Sequence, residues 1–252
     1  MASRKEAKEW ARANVKGLFT SPSIPFTEDL QLDEAGIRKN VDYILKLKVN
    51  GIGFGFTEPW VCTIEERKRA MEVAVDAVDK KVVAYLHAAD HSVAETINLV
   101  THAKNVGADA VMVWAPYEWA KTQDMAYDFF EYVASKVDIA IFAYNTYHSG
   151  LSLTPETIAR LAKIPNVCAV KDALNDADHA LRVFELCGDQ IVVSDPFEEH
   201  LFTMIERHDQ QVLLGTTSVQ LMQSHHYQPI QEYFDLAKAG KVAEATRKYQ
   251  EL

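Results

Sequence analysis

A lysine at the end of an apolar run is the first residue of this chain that could do chemistry. Lys171 follows Val167-Cys168-Ala169-Val170. Burial at such a position disfavours the ammonium and lowers its pKa. A lysine that forms a Schiff base with a carbonyl must be neutral to attack. The bland alternative is an ion pair with the adjacent Asp172 or with another acid. Tyr144 ends a second apolar run, Ile141-Phe142-Ala143. Its phenol could carry protons to and from an imine carbon and a substrate oxygen. It could equally be an amphipathic core tyrosine. His87-Ala88-Ala89-Asp90-His91 holds two imidazoles that could ligate a metal. They straddle a strand–loop boundary, so ordinary hydrogen bonding is the favoured reading. Asp195 also ends an apolar run, where a cap for a helix starting near Phe197 is favoured over catalysis. His225-His226 reads as a surface pair.

These residues need elements to hold them. Eight short apolar runs read as strands: Val15 to Thr20, Gly51 to Gly55, Lys81 to His87, Asp109 to Trp114, Ile139 to Tyr144, Asn166 to Lys171, Gln190 to Ser194 and Gln211 to Gly215. Most lack polar alternation, as strands buried on both faces should. Helical patterns fill the gaps. Leu32-Asp33-Glu34 opens one, Thr63-Ile64-Glu65-Glu66 is a capping box, and Ser92-Val93-Ala94-Glu95 and Thr154-Pro155-Glu156-Thr157 repeat the signature. Eight such units predict an α/β fold, a (β/α)8 TIM barrel. The open doubly wound sheet is disfavoured because no Gly-rich phosphate turn follows a strand. The expected organisation is a catalytic barrel over residues 1–220 and a helical extension over 221–252, with helices at Gln228 to Ala239 and Lys241 to Leu252. In such a barrel the catalytic groups come from the C-terminal strand ends and the loops after them.

Composition narrows the function further. The net charge is −10, and the densest charge clusters mix signs. A nucleic-acid binder needs a basic face to displace counterions, and anionic membranes would repel this surface. Cys62, Cys168 and Cys187 are widely spaced, which fits a reducing compartment. No apolar run approaches membrane-spanning length, and the polar start does not read as a signal peptide. The expectation is a cytoplasmic protein without nucleic-acid or membrane partners.

The segment around the two reactive residues resembles a known family. Phe142-Ala143-Tyr144-Asn145, then Ser149-Gly150, leads through Leu153-Thr154-Pro155-Glu156-Thr157 to Val170-Lys171-Asp172. This is similar to the YN…(S/T)G tyrosine and (I/V)K(E/D) lysine of the dihydrodipicolinate synthase/N-acetylneuraminate lyase family, in both order and separation. Thr20-Ser21-Pro22 with Pro25-Phe26 resembles that family's opening TPF strand. Gly55-Phe56-Thr57-Glu58 with Thr63-Ile64-Glu65-Glu66-Arg67 resembles its GTTGE…TLxxEER region, and Ala115-Pro116-Tyr117 its PYY loop. The resemblance implies a class I aldolase in which Lys171 forms the imine, Tyr144 transfers protons and Thr57 holds the carboxylate of a 2-oxo acid. It also implies a homotetramer. The imine would serve as electron sink, so no metal or other cofactor is expected.

Two departures from the family bear on the substrate. Phe56 takes the place of its first GTTGE threonine and Glu118 that of its second relay tyrosine, so the family's hydroxyl relay is interrupted. His148 stands where the synthase has an arginine that binds its second substrate, and residues 70 to 159 contain no arginine. Substrate contacts are expected from Thr57, Phe56, Trp60, Tyr117, Glu118, His148, Gly215 and Thr216. Phe56, Trp60, Trp114, Trp119 and Tyr147 would form an aromatic wall. The main expectation is therefore a lyase or aldolase, with or without hydration as in the hydratase-aldolase branch. It would join pyruvate or a related 2-oxo acid to an apolar or aromatic aldehyde. The alternatives are an orthodox 4-hydroxy-tetrahydrodipicolinate synthase and a non-catalytic 2-oxo-acid-binding homologue.

Overall fold

The computed structural model describes residues 3–55, 61–116, 118–215 and 217–252. Eight parallel strands run β1 (Gly17–Thr20), β2 (Gly51–Phe54), β3 (Val83–His87), β4 (Ala110–Val113), β5 (Ala140–Thr146), β6 (Val167–Ala173), β7 (Val192–Ser194) and β8 (Val212–Leu214). Each pairs with its sequence neighbour from β1 through β7, and β1 also pairs with β8. The seam between β7 and β8 is bridged by a side chain. Ser194 Oγ donates to the Val212 carbonyl and accepts from the Leu214 amide, both at 3.0 Å. The result is a nearly closed (β/α)8 barrel.

All eight predicted strands form, with ends displaced by one or two residues. Their residues are almost all buried, because helices cover the outer face and side chains fill the lumen. The lumen alternates large and small residues. Phe19, Tyr85 and Phe142 pack through it as tilted rings with centroids 6.0 and 5.8 Å apart. The glycines of β2 leave room for them. A Cβ on Gly51 would lie 2.2 Å from the Phe19 ring, and one on Gly53 2.2 Å from the Tyr85 ring.

The crossover helices are α2 (Glu34–Leu45), α3 (Ile64–Val78), α4 (Val93–Asn105), α5 (Gln123–Lys136), α6 (Pro155–Leu161), α7 (Ala177–Cys187) and α8 (Glu198–His208). Thr63 and Glu66 make the predicted reciprocal capping box. Asp33, Ser92 and Thr154 each cap the third residue on. A helix absent from the sequence expectation, α1 (Ala7–Asn14), packs against β5, β6 and β7 with Ala7 and Ala11 buried, and its Trp10 stacks on Phe142 at 6.4 Å. After β8 come a short α9 (Ser218–Leu221), α10 (Pro229–Lys238) and α11 (Val242–Gln250). The last two pack against α8 and each other, and the Tyr233 hydroxyl donates to the Glu198 carbonyl at 3.2 Å. Among the described residues, no helix is long and apolar enough to cross a membrane.

Candidate active site

Period-two alternation along β6 decides what Lys171 can do. Successive side chains point to opposite faces, so Lys171 turns into the barrel and Asp172 turns out towards α7. Asp172 is spent there. It accepts from Asn145 Nδ2 at 2.7 Å and pairs with His179 Nδ1 at 2.8 Å. The expected alternative, a Lys171–Asp172 ion pair, is therefore replaced by a pair on the other side of the strand. Lys171 instead donates to the Gly215 carbonyl at 2.9 Å, and its Nζ stands 4.7 Å from the centre of the Tyr144 ring. The register sets Tyr144 on β5 directly beside Lys171.

Both residues line a cavity of about 530 Å³ at the C-terminal ends of the strands. Burial lowers the Lys171 pKa to about 8, so roughly a tenth of the amine is neutral at pH 7, far more than for an ordinary lysine. Burial raises the Tyr144 phenol, with a hydrogen bond to Thr146 working the other way. The phenol is thus a proton donor at rest. His87 is pushed down to about 3, chiefly by burial and then by the charges of Lys171 and Arg67. It is a neutral wall of the site, packed against Tyr85, Trp114 and Tyr144. His91 is exposed, and its carbonyl accepts from Trp119 Nε1 at 2.9 Å. One pH profile follows. If Lys171 captures a 2-oxo acid as the sequence leads one to expect, the step needs the free amine, and kcat/KM should rise with pH and level off above about 8. A stopped-flow or steady-state profile checks this; a profile that falls between pH 6 and 8 contradicts it.

The loop after β5 is built from the same network. The Asn145 side chain donates to the Leu153 carbonyl at 3.1 Å and accepts from the Leu153 amide at 2.8 Å, mimicking a strand partner. Between them a 3-10 turn over Tyr147–Ser149, ended by Gly150 in the left-handed region, sets His148 on the cavity wall. His179 braces this loop. Its Nδ1 meets the Asp172 carboxylate and its Nε2 meets the Leu153 carbonyl at 2.9 Å, so both ring nitrogens face acceptors and the imidazolium suits them best. Burial alone would lower its pKa. The hydrogen bond and charge of Asp172 outweigh that, and the net shift is upward. A folded value above the unfolded one contributes stability that is complete below the ordinary 6.5 and lost as pH rises through the raised value. The urea midpoint of His179→Gln should lie below that of the parent at pH 5, with the gap narrowing towards pH 9. A gap that widens with pH would contradict the assignment.

Of the other expected contacts, Gly215 lines the cavity, whereas Glu118 is exposed and lies away from the lining. Phe56, Thr57, Trp60, Tyr117 and Thr216 lie outside the described residues. Of the expected aromatic wall, only Trp114, Trp119 and Tyr147 fall among the described residues. Trp119 turns outward against Phe129, in a separate groove with Met125 and Tyr132. Trp114 is buried edge-on behind Tyr144 at 6.1 Å. Tyr147 and Phe197 remain on the lining. Ser21, one of the strand-end residues of the sequence, also lines it, and sequence reasoning missed Thr146, Asn175, Glu198 and Ser218, which line it too. Thr146 ends β5 and Asn175 follows β6, the signal that could have found them, whereas Glu198 and Ser218 open α8 and α9. The expected capping role of Asp195 is not realised, because the N-cap of α8 is Phe197 and no side chain caps that helix. Asp195 accepts from the Phe197 amide at 2.9 Å and pairs with His200 Nδ1 at 2.8 Å.

Comparison with known proteins places the chain in a family. The model of the dihydrodipicolinate synthetase family matches residues 14–252. The 4-hydroxy-tetrahydrodipicolinate synthase of Methanothrix thermoacetophila is 34% identical over 178 residues, covering 69% of this chain and 60% of that protein. The synthase of the same name from Syntrophobacter fumaroxidans is 35% identical over 166 residues, covering 65% and 57%. The chain thus spans about three fifths of the length of these curated relatives. A prophage protein of the dihydrodipicolinic acid synthase family from E. coli K12, solved in complex with pyruvate, superposes with a TM-score of 0.84 at 27% identity, covering 93% of this chain and 79% of that one. A crystallised dihydrodipicolinate synthase gives a TM-score of 0.84 at 25% identity, covering 94% and 81%.

Proposed function

Because the chain belongs to the dihydrodipicolinate synthetase family, we propose that it is a class I, Schiff-base-forming lyase acting on pyruvate or a related 2-oxo acid. One observation carries the proposal: a buried lysine with its pKa lowered to about 8 opens onto a cavity beside a protonated tyrosine. The Lys171 amine adds to the 2-oxo carbon, the carbonyl oxygen takes a proton, and water leaves to give the imine. The imine takes up the electron pair of the neighbouring C–H or C–C bond as it breaks, giving an enamine, and the enamine gives that pair to the aldehyde carbon when a C–C bond forms. Tyr144 returns protons to the carbon beside the imine and to the aldehyde oxygen. Thr57 holds the substrate carboxylate in this reading, and the active assembly is a homotetramer.

For the second substrate, the shared name of the curated relatives favours aspartate semialdehyde, the aldehyde of a 4-hydroxy-tetrahydrodipicolinate synthase. The outward turn of Trp119 also weakens the case for an aromatic partner. A second reading keeps an apolar or aromatic aldehyde. It is favoured by the cavity lining, which holds Glu198, Phe197 and Tyr147 and, among the described residues, no arginine to pair with a second carboxylate. The test compares kcat/KM for aspartate semialdehyde and benzaldehyde at fixed pyruvate. We expect aspartate semialdehyde to win by about tenfold or more. The reverse ratio installs the second reading.

A further inference from the structure

Ser21 and Tyr85 form a second hydroxyl pair at the cavity, and the steps above do not use them. Ser21 follows β1 and lines the cavity. Tyr85, on β3, is wholly buried, and its hydroxyl lies 2.8 Å from Ser21 Oγ. The barrel leaves room for this pair at two glycines. A Cβ on Gly53 would come within 2.6 Å of Ser21 Oγ. A Cβ on Gly215 would stand 3.1 Å from the Tyr85 hydroxyl and 3.1 Å from Lys171 Nζ. The phenol and the amine thus flank the same glycine, and Ser21 continues the chain of hydroxyls into the cavity. Two positions of the hydroxyl relay found in similar proteins carry Phe56 and Glu118 here.

We propose that Ser21 is a catalytic residue for addition of Lys171 to the 2-oxo acid, and that Tyr85 positions it. The proposal rests on the Schiff-base reading. A phenol is a stronger donor than an alkyl hydroxyl, and its oxygen is the weaker acceptor. Tyr85 therefore donates to Ser21 and leaves the serine hydrogen for the cavity. Burial keeps the phenol protonated. When the amine nitrogen bonds to the carbonyl carbon, the C–O π pair moves to oxygen and the nitrogen becomes cationic. Ser21 passes its proton to that oxygen while its own oxygen receives one from the nitrogen. One proton has moved from nitrogen to oxygen, the neutral carbinolamine has formed, and the serine is restored. The oxygen's developing charge meets an oriented donor.

The experiment is rapid mixing with pyruvate, quenching with borohydride and measuring Lys171 modification by peptide mass spectrometry against time. Ser21→Ala should slow the rate of modification by about tenfold or more and leave its final extent unchanged. Tyr85→Phe keeps the ring and should slow it less. The double variant should match Ser21→Ala, because Tyr85 acts only through the serine. Ser21→Ala modified at a rate within about twofold of the parent overturns the catalytic assignment. A lower final extent with an unchanged rate overturns it as well, since that reports lost binding. Additive slowing in the double variant overturns the positioning role of Tyr85. If the parent itself is not modified, the Schiff-base reading fails and this inference with it. A modified parent with an unimpaired Ser21→Ala ends this inference alone.

Discussion

Lys171→Met is expected to lose activity by a thousandfold or more, as an order of magnitude, while making the protein more stable. The two effects have one cause. The proposed reaction needs an amine that is neutral often enough to attack, and the barrel supplies it by burying Lys171 until its pKa falls to about 8 from 10.5. That shift is a cost to the fold. The native state binds the proton less tightly than the unfolded chain, so the penalty is full below about pH 8. It disappears as pH rises past the unfolded value. Its size is on the order of 3 kcal/mol. Methionine has a similar length and no charge, so it removes the penalty and keeps the packing. The lost hydrogen bond to the Gly215 carbonyl returns about 1 kcal/mol of the gain. Urea unfolding should therefore show Lys171→Met about 2 kcal/mol above the parent at pH 7, with the advantage shrinking towards pH 10. Borohydride trapping with pyruvate should vanish. A variant that is less stable at pH 7, or that still traps pyruvate, would remove Lys171 from the centre of the site.

The same burial explains why Lys171 was legible in the sequence. A charge closing Val167-Cys168-Ala169-Val170 is anomalous wherever the strand is covered on both faces, and continuous apolar runs marked all eight strands for that reason. What lay across space was harder to read. Asp172 was weighed as the partner of its neighbour, and alternation alone argues against that. Its actual partner, His179, comes from a helix whose rotation about the barrel no local pattern encodes. Tyr85 reads as one more buried strand residue, since its hydroxyl acquires meaning only through the β1–β2–β3 register that brings Ser21 to it. Trp119 was misplaced because an aromatic in a mouth loop can face inward or outward, and here α5 offers Phe129 on the outside. Helix α1 was hidden in a polar opening whose buried residues are two small alanines.

Tyr144→Phe separates imine formation from the carbon chemistry. The phenol is held in place from three sides. Trp114 and His87 meet its ring edge-on at 6.1 and 6.4 Å, and Lys171 lies over its face. Phenylalanine keeps every one of these ring contacts, so the fold and the lysine's surroundings should survive the change. Only the proton is lost. Burial holds the phenol protonated, which suits a group that gives a proton in the transition state and regains it in the same turnover. Removing such a group costs roughly a hundredfold to ten-thousandfold in kcat. The KM for pyruvate should change far less, because in the proposed reaction binding and imine formation use Lys171. Trapping of pyruvate on Lys171 should continue to the same extent in Tyr144→Phe, while exchange of the pyruvate methyl protons with deuterium, followed by NMR, should slow in step with kcat. Loss of trapping together with turnover would mean that Tyr144 holds the lysine in place and transfers no proton. Turnover within about tenfold of the parent would assign the proton transfer to another hydroxyl of the cavity, Ser21 or Thr146.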